Sequence, residues 1–156
     1  PLYIRQKGRL APAKYSELVA SPDHMPTLLG LLDIPVPDTC QGFNHAPGIL
    51  GQESNAPKDA FLCSYPGMPE MVAAFEKQGL NSKCYGWRGI RTHTHTFVIN
   101  NGYKPGEKQV KMLYNNEKDP YQQNPLMITE LNGELAADYE KRLREYLDMQ
   151  QDPFLM

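Results

Sequence analysis

Cysteine is scarce. Cys40, Cys63 and Cys84 are the only three in 156 residues, too few and too scattered for a disulfide scaffold. No Cys/Cys or Cys/His pair has zinc-finger spacing, and at most one disulfide could form, which leaves the redox compartment undecided. Long apolar runs are missing too. Nothing approaches the roughly 20 consecutive apolar residues that cross a bilayer as a helix, so no membrane span is expected. Charge of one sign is not in excess: 16 Lys and Arg stand against 18 Asp and Glu, giving a formal charge of −2. Phosphate backbones need clustered cations, so nucleic acid is not an expected partner. The chain opens Pro1-Leu2-Tyr3-Ile4-Arg5, with neither an initiator Met nor a charged-then-apolar leader, and reads as a piece of something longer or a processed product. What is present suffices for a core: 40% of the residues are hydrophobic, too many for a fully disordered chain.

Punctuation by Gly and Pro divides the chain. Leu2 to Arg5 has the β-branched and aromatic character of a short strand, ended by Gly8. Ser21-Pro22-Asp23 announces a helix over 25–32, with Met25, Leu28, Leu29 and Leu32 at offsets 3, 4 and 7 and Pro26 in the first turn, where its missing N–H costs little. Ile34-Pro35-Val36-Pro37 stops it. A Gly-, Pro-, Asn- and Gln-rich loop follows to Pro57. Ala60 to Cys63 reads as a strand and Pro69 to Gln78 as a helix with Gly79 as its stop. A hairpin places Trp87, Ile90 and Thr92 in its first strand. Phe97 to Ile99 lies in the second strand or continues the first, and Asn100-Asn101-Gly102 is the turn signal. Val110 to Tyr114 is a further strand. Gly133 to Gln150 is the clearest helix, striped by Leu135, Tyr139, Leu143, Tyr146 and Leu147. The expected class is α+β: a small antiparallel sheet packed by a C-terminal helix.

Two stretches carry a family resemblance. Pro1-Leu2-Tyr3-Ile4-Arg5, then Asp23-His24-Met25-Pro26-Thr27-Leu28-Leu29, Ile34-Pro35-Val36-Pro37 and Gln41-Gly42 resemble the sulfatase run of a "PLIIR" strand, a "D-x-x-P-T-L-L" helix, a "G-I-P-x-P" turn and a "QG" loop. Trp87-Arg88-Gly89-Ile90-Arg91-Thr92, followed by Leu113-Tyr114-Asn115-Asn116 and Asp119-Pro120 through Asn124-Pro125-Leu126, resembles that family's "WRGIRT … LYD … DP-x-E-x-x-N-L" ending. The resemblance covers most of 1–126, in order. It implies residues 1–57 as a terminal strand, helix and loop of the large α/β sulfatase domain, and 58–156 as a C-terminal α+β subdomain. It also implies a hydrolase of sulfuric esters that uses a formylglycine and Ca2+. The ligands for both are expected upstream of Pro1, so the chain itself holds no cofactor and is expected to be inactive alone. Expected partners are the remainder of the catalytic domain and a sulfated carbohydrate or aryl sulfate; the expected location is periplasmic or extracellular. Cys84 and Arg88 have the four-residue spacing of the formylglycine signature, but Gly86 stands where Pro or Ala is required, so Cys84 is read as a packed strand residue.

His93-Thr94-His95 would put two imidazoles on one face of a strand, yet a metal site needs three or four ligands and nothing nearby in sequence completes one. The family resemblance instead makes His93 and His95 candidates for contact with a substrate sugar. Arg88 and Arg91 suit sulfate or carboxylate, but a spacing of three sends them to opposite faces of a strand. An ion pair for each, with Glu117 or Asp119, is the plainer expectation. Two other functional classes stay open: a non-catalytic module that binds sulfated glycans, and the matching region of a related phosphoester hydrolase.

Overall fold

The structure is a computed structural model and describes residues 2–128 and 130–155, the side chains of Glu130 and Leu131 excepted. The chain divides into two compact units, Pro1–Lys58 and Asp59–Met156.

The first unit is built on α1 (His24–Leu31), entered through a 3₁₀ turn at Ser21–Asp23, and a short α2 (Ala46–Ile49). The strand expected at its start is not formed: residues 2–5 join no ladder, Leu2 and Tyr3 are 57% and 88% exposed, and Pro1 lies outside the described residues. An extended segment becomes a strand only when its N–H and C=O groups find a partner, whatever its propensity. α1 runs one residue earlier than expected and turns a different face inward. Pro26, Thr27 and Leu31 are buried, whereas Met25, Leu28 and Leu32 are 60%, 46% and 56% exposed.

Hydrogen bonds fix that choice of face. Asp23, 8% exposed, accepts from the Ala20 and Phe43 N–H groups, each at 2.7 Å, and lies 3.3 Å from His45 Nε2. The Thr27 hydroxyl accepts from His45 N–H at 3.1 Å and donates to the Phe43 carbonyl at 3.4 Å. His45 Nδ1 meets the Tyr15 hydroxyl at 2.9 Å. With Nε2–H directed at the carboxylate, Nδ1 is left as acceptor and Tyr15 as donor. Burial, with the Glu17 charge behind it and Ser54 opposing, holds the Tyr15 phenol above its ordinary value and therefore protonated. At Gly42 a methyl group would sit 2.1 Å from the Pro22 carbonyl oxygen, so the loop can approach the helix entry only as glycine.

The second unit is a four-stranded antiparallel sheet in the order β1 (Ala60–Ser64), β2 (Gly86–Arg91), β3 (His95–Gly102) and β4 (Val110–Asn115). α3 (Pro69–Glu76) connects β1 to β2 and ends, as its Gly79 predicts, in a left-handed residue at φ +68°. α4 (Glu130–Met149) lies on one face of the sheet. The register aligns Phe61 with Ile90, Ile90 with Phe97, and Phe97 with Leu113, one row across all four strands. That row, with Ile99, meets Ala136, Tyr139, Leu143 and Leu147 of α4 and Phe154 in one core. Phe61 stacks on Tyr146 with ring centroids 4.4 Å apart. The α+β class is therefore as expected, including the C-terminal helix and most of its stripe.

The hairpin turn differs from expectation. The chain reverses at Thr92–Thr94, and Asn100-Asn101-Gly102 closes β3 before a longer loop, so Phe97 to Ile99 belong to the second strand. Asn101 is drawn into packing, its amide donating to the Cys84 and Phe154 carbonyls at 3.0 Å each.

Candidate functional site

The polar residues of interest gather at the end of the sheet where β2 turns into β3. Thr92 and His95 clamp the reversal: Thr92 N–H donates to the His95 carbonyl at 2.8 Å, and His95 N–H donates to the Thr92 hydroxyl at 3.0 Å. That hydroxyl also donates to the His95 carbonyl at 3.2 Å, and its second lone pair faces the Tyr139 hydroxyl at 3.0 Å. His93 and Thr94 form the exposed tip.

A second set of bonds ties this turn to the loop after β4. Thr96, 1% exposed, donates to Asn116 Oδ1 at 2.9 Å and accepts from Gln122 Nε2 at 2.6 Å and from Arg91 at 3.5 Å. Asn116 Nδ2 donates to the Thr92 carbonyl at 3.0 Å, Asn116 N–H to the Thr94 carbonyl at 2.8 Å, and Gln122 also reaches Asn116 Oδ1 at 3.1 Å. The Thr96 hydroxyl thus makes three hydrogen bonds, Asn116 Oδ1 two and Asn116 Nδ2 one, the condition under which a polar network stiffens a site instead of weakening it. Thr92, Thr96, Asn116 and Gln122 are not among the residues that the sequence marks as candidates for ligand contact. The run of amide side chains from Asn115 to Asn124 was the available signal.

The candidate residues part company here. His93 is exposed at the tip, outside the strand, so the two imidazoles do not share a strand face. His95 is the first residue of β3, half-buried, with its ring centroid 6.2 Å from that of Tyr139 and Nδ1 3.0 Å from the Thr94 hydroxyl. Arg91 pairs across the strands with Thr96, on the face opposite α4. Arg88 lies elsewhere, 1% exposed. Its Nε and Nη2 grip the Asp152 carboxylate at 2.8 and 3.2 Å, Nη1 donates to the Ser64 and Trp87 carbonyls at 3.3 and 3.2 Å, and Nη2 donates to the Lys83 carbonyl at 2.9 Å. All five N–H donors are engaged, and the guanidinium carbon lies 4.7 Å from the Phe154 ring centroid. The expected ion pair is real but its partner is Asp152, not Glu117 or Asp119. Asp119 instead accepts from Asn124 N–H at 2.7 Å. Cys84 is half-buried, with its thiol donating to the Pro153 carbonyl at 3.3 Å, and all three cysteines are free thiols.

No cluster of three or more His, Cys, Asp or Glu able to hold a metal exists among the described residues. Among the described residues no helix is long and apolar enough to cross a membrane.

No family model matches the chain. The endo-4-O-sulfatase of Bacteroides thetaiotaomicron is 27% identical over 157 aligned positions, which take in 99% of this chain and 30% of that protein. The ulvan-active sulfatase of Formosa agariphila is 29% identical over 141 positions, 83% of this chain and 23% of its own length. A solved structure from Bacteroides thetaiotaomicron, described for the metabolism of multiple glycosaminoglycans, superposes with a TM-score of 0.73 at 27% identity, covering 95% of this chain and 30% of that one. The same fold recurs in the phosphonate monoester hydrolase of Agrobacterium radiobacter, at a TM-score of 0.65 and 22% identity over 90% of this chain and 27% of that one. The antiparallel sheet with its packed helix is thus a fold that recurs as a portion of both of these larger chains. The chain is similar to two sulfatases over 83–99% of its own length, and it spans less than a third of the length of the relatives it matches.

Proposed function

We propose that this chain supplies substrate-side surface to a sulfuric ester hydrolase. It completes the fold and shapes the cleft, while the formylglycine and the calcium ligands come from the rest of the polypeptide, its expected partner. The observation that carries this reading is the His93-Thr94 tip, exposed yet held by the Thr92, Thr96, Asn116 and Gln122 network. A sulfate ester keeps a fixed negative charge and presents acceptor oxygens to which imidazole and guanidinium N–H groups donate. His93 at the tip, and Arg91 and His95 at the sheet end, are side chains of that kind, whereas Arg88 is buried in its own hydrogen bonds. The names of the two sulfatase relatives support a sulfated polysaccharide over a small aryl ester. The same reading puts the protein outside the cytoplasm.

The test is His93→Ala with His95→Ala in a sulfatase-length polypeptide carrying this segment. The expected result is a fall of about tenfold or more in kcat/KM on a sulfated oligosaccharide, equivalent to about 1.4 kcal/mol of lost transition-state interaction, with little change on a small aryl sulfate. Equal kcat/KM values on the oligosaccharide would end the proposal. Preference for a phosphonate or phosphate ester would favour the phosphoester reading.

A further inference from the structure

Tyr121 is 83% exposed. An exposed ring by itself needs no explanation, but the backbone that carries this one is pinned on both sides. Before it, the Glu117 and Lys118 N–H groups donate to Asn115 Oδ1 at 3.1 and 2.9 Å, and Asp119 N–H donates to the Asn115 carbonyl at 2.8 Å. After it, Asn124 N–H donates to Asp119 Oδ2 at 2.7 Å and Leu126 N–H to the Leu113 carbonyl at 2.7 Å. Gln122 takes φ +54°, a left-handed conformation that is unfavourable for a residue with a Cβ. Its amide holds it there by donating to Thr96 Oγ1 at 2.6 Å and to Asn116 Oδ1 at 3.1 Å. Strain that the surroundings hold in place is a mark of functional positions. With the Gln122 side chain drawn into the network, the neighbouring Tyr121 ring is left outside, on a stiff support.

The same network carries the charged side chains of the site. Gln122 and Arg91 share the Thr96 hydroxyl, and Asn116 donates to the Thr92 and Thr94 carbonyls on either side of His93. Arg91, the His93 tip and Tyr121 are therefore fixed by one set of bonds. Their chemistries differ. Guanidinium and imidazole suit sulfate oxygens, whereas a pyranose also presents a face of C–H groups, which asks for a flat apolar surface. A tyrosine ring supplies that surface at the cost of ordering only two side-chain torsions.

We propose, resting on the sulfatase reading above, that Tyr121 is a specificity-determining residue whose ring stacks on the C–H face of a pyranose adjoining the sulfated unit of a polysaccharide. The exposed amide side chains of Gln123 and Asn124 beside it suit the hydroxyls of that sugar. A small aryl sulfate has no adjoining sugar, so the contact separates polymer from small ester. It is made equally before and during the reaction, so its loss falls on KM and not on kcat.

The experiment compares wild type, Tyr121→Ala and Tyr121→Phe in a sulfatase-length polypeptide carrying this segment. The substrates are a 4-O-sulfated glycosaminoglycan tetrasaccharide, a sulfated ulvan tetrasaccharide and a small aryl sulfate. On a tetrasaccharide that wild type hydrolyses, Tyr121→Ala should raise KM about tenfold and change kcat by less than about twofold. Tyr121→Phe keeps the ring and should stay within about twofold of wild type in both constants. On the aryl sulfate, kcat/KM of Tyr121→Ala should lie within about twofold of wild type. Its melting temperature should lie within about 2 °C of wild type, because the side chain is already exposed. If Tyr121→Ala keeps the wild-type KM on the tetrasaccharide, the platform is overturned and the sulfatase reading stands. A Phe variant as weak as Ala assigns the effect to the hydroxyl, and an equal loss on the aryl sulfate assigns it to the fold; either result overturns the platform. If wild type hydrolyses only the aryl sulfate, the platform falls and the ester-hydrolase reading stands. If it hydrolyses none of the three, both fall.

Discussion

Arg88→Ala should be among the most destabilising single changes in the second unit. The Arg88 and Asp152 side chains are 2% and 18% exposed, so the substitution strands a carboxylate with little access to water and takes a donor from the carbonyls of Ser64, Trp87 and Lys83. Breaking a buried ion pair by removing one partner costs about 3–5 kcal/mol, against a total stability on the order of 5–15 kcal/mol for a domain. For a unit of this size that is a fall in melting temperature on the order of 15 °C or more. Trp87, the only tryptophan of the chain, adjoins Arg88 on β2, so urea unfolding followed by its fluorescence reads this unit directly. Arg88→Lys should fall between wild type and Ala, because an ammonium keeps the charge but cannot form the two-point grip on Asp152. In a double-mutant cycle with Asp152→Asn, the two substitutions together should cost less than the sum of each alone. A loss below about 1 kcal/mol for Arg88→Ala would refute the structural role and return Arg88 to the groups available for a ligand.

Two further outcomes follow from the same bookkeeping of partners. Asp23→Asn leaves one acceptor oxygen where two now serve the Ala20 and Phe43 N–H groups and His45, so residues 42–46 should loosen by about 1–3 kcal/mol, read as faster amide exchange at Ala20 and Phe43; unchanged exchange contradicts it. Glu140 is held below its ordinary value: partial burial opposes ionisation, but the hydrogen bonds from Lys111 and Arg144 outweigh it. Because its folded pKa lies below the unfolded one, its contribution is complete above about pH 4.3 and is lost as pH falls through the folded value. The stability gap between wild type and Glu140→Gln should therefore narrow on acidification, and a gap that stays constant would count against the Lys111–Glu140–Arg144 cluster.

The parts of the fold that could be read in the sequence are those whose cause is local. α4 shows its stripe at a helical period because one face of it meets the sheet, and Gly79 marks the end of α3 because a left-handed residue is needed there. The α1 stripe was equally legible as a pattern but not as a burial, since periodicity names an apolar face without naming what covers it. The reversal was misplaced because Asn100-Asn101-Gly102 is the stronger turn signal. The structure instead closes the turn with the Thr92 hydroxyl and spends Asn101 on carbonyls far along the chain. Of the site, His93, His95 and Arg91 were visible as residue types. The groups that hold them were not, because Thr96 and Gln122 lie 26 residues apart and Arg88 and Asp152 lie 64 apart, and no local rule pairs them.

Incubation of this chain with an aryl sulfate and calcium tests the central claim most directly, that it contributes surface to a sulfatase and not the reacting groups. Release of the phenol at the rate of the protein-free control is the expected result. Turnover above that rate, proportional to the concentration of the chain, would contradict the account and place a sulfate-cleaving centre within these 156 residues.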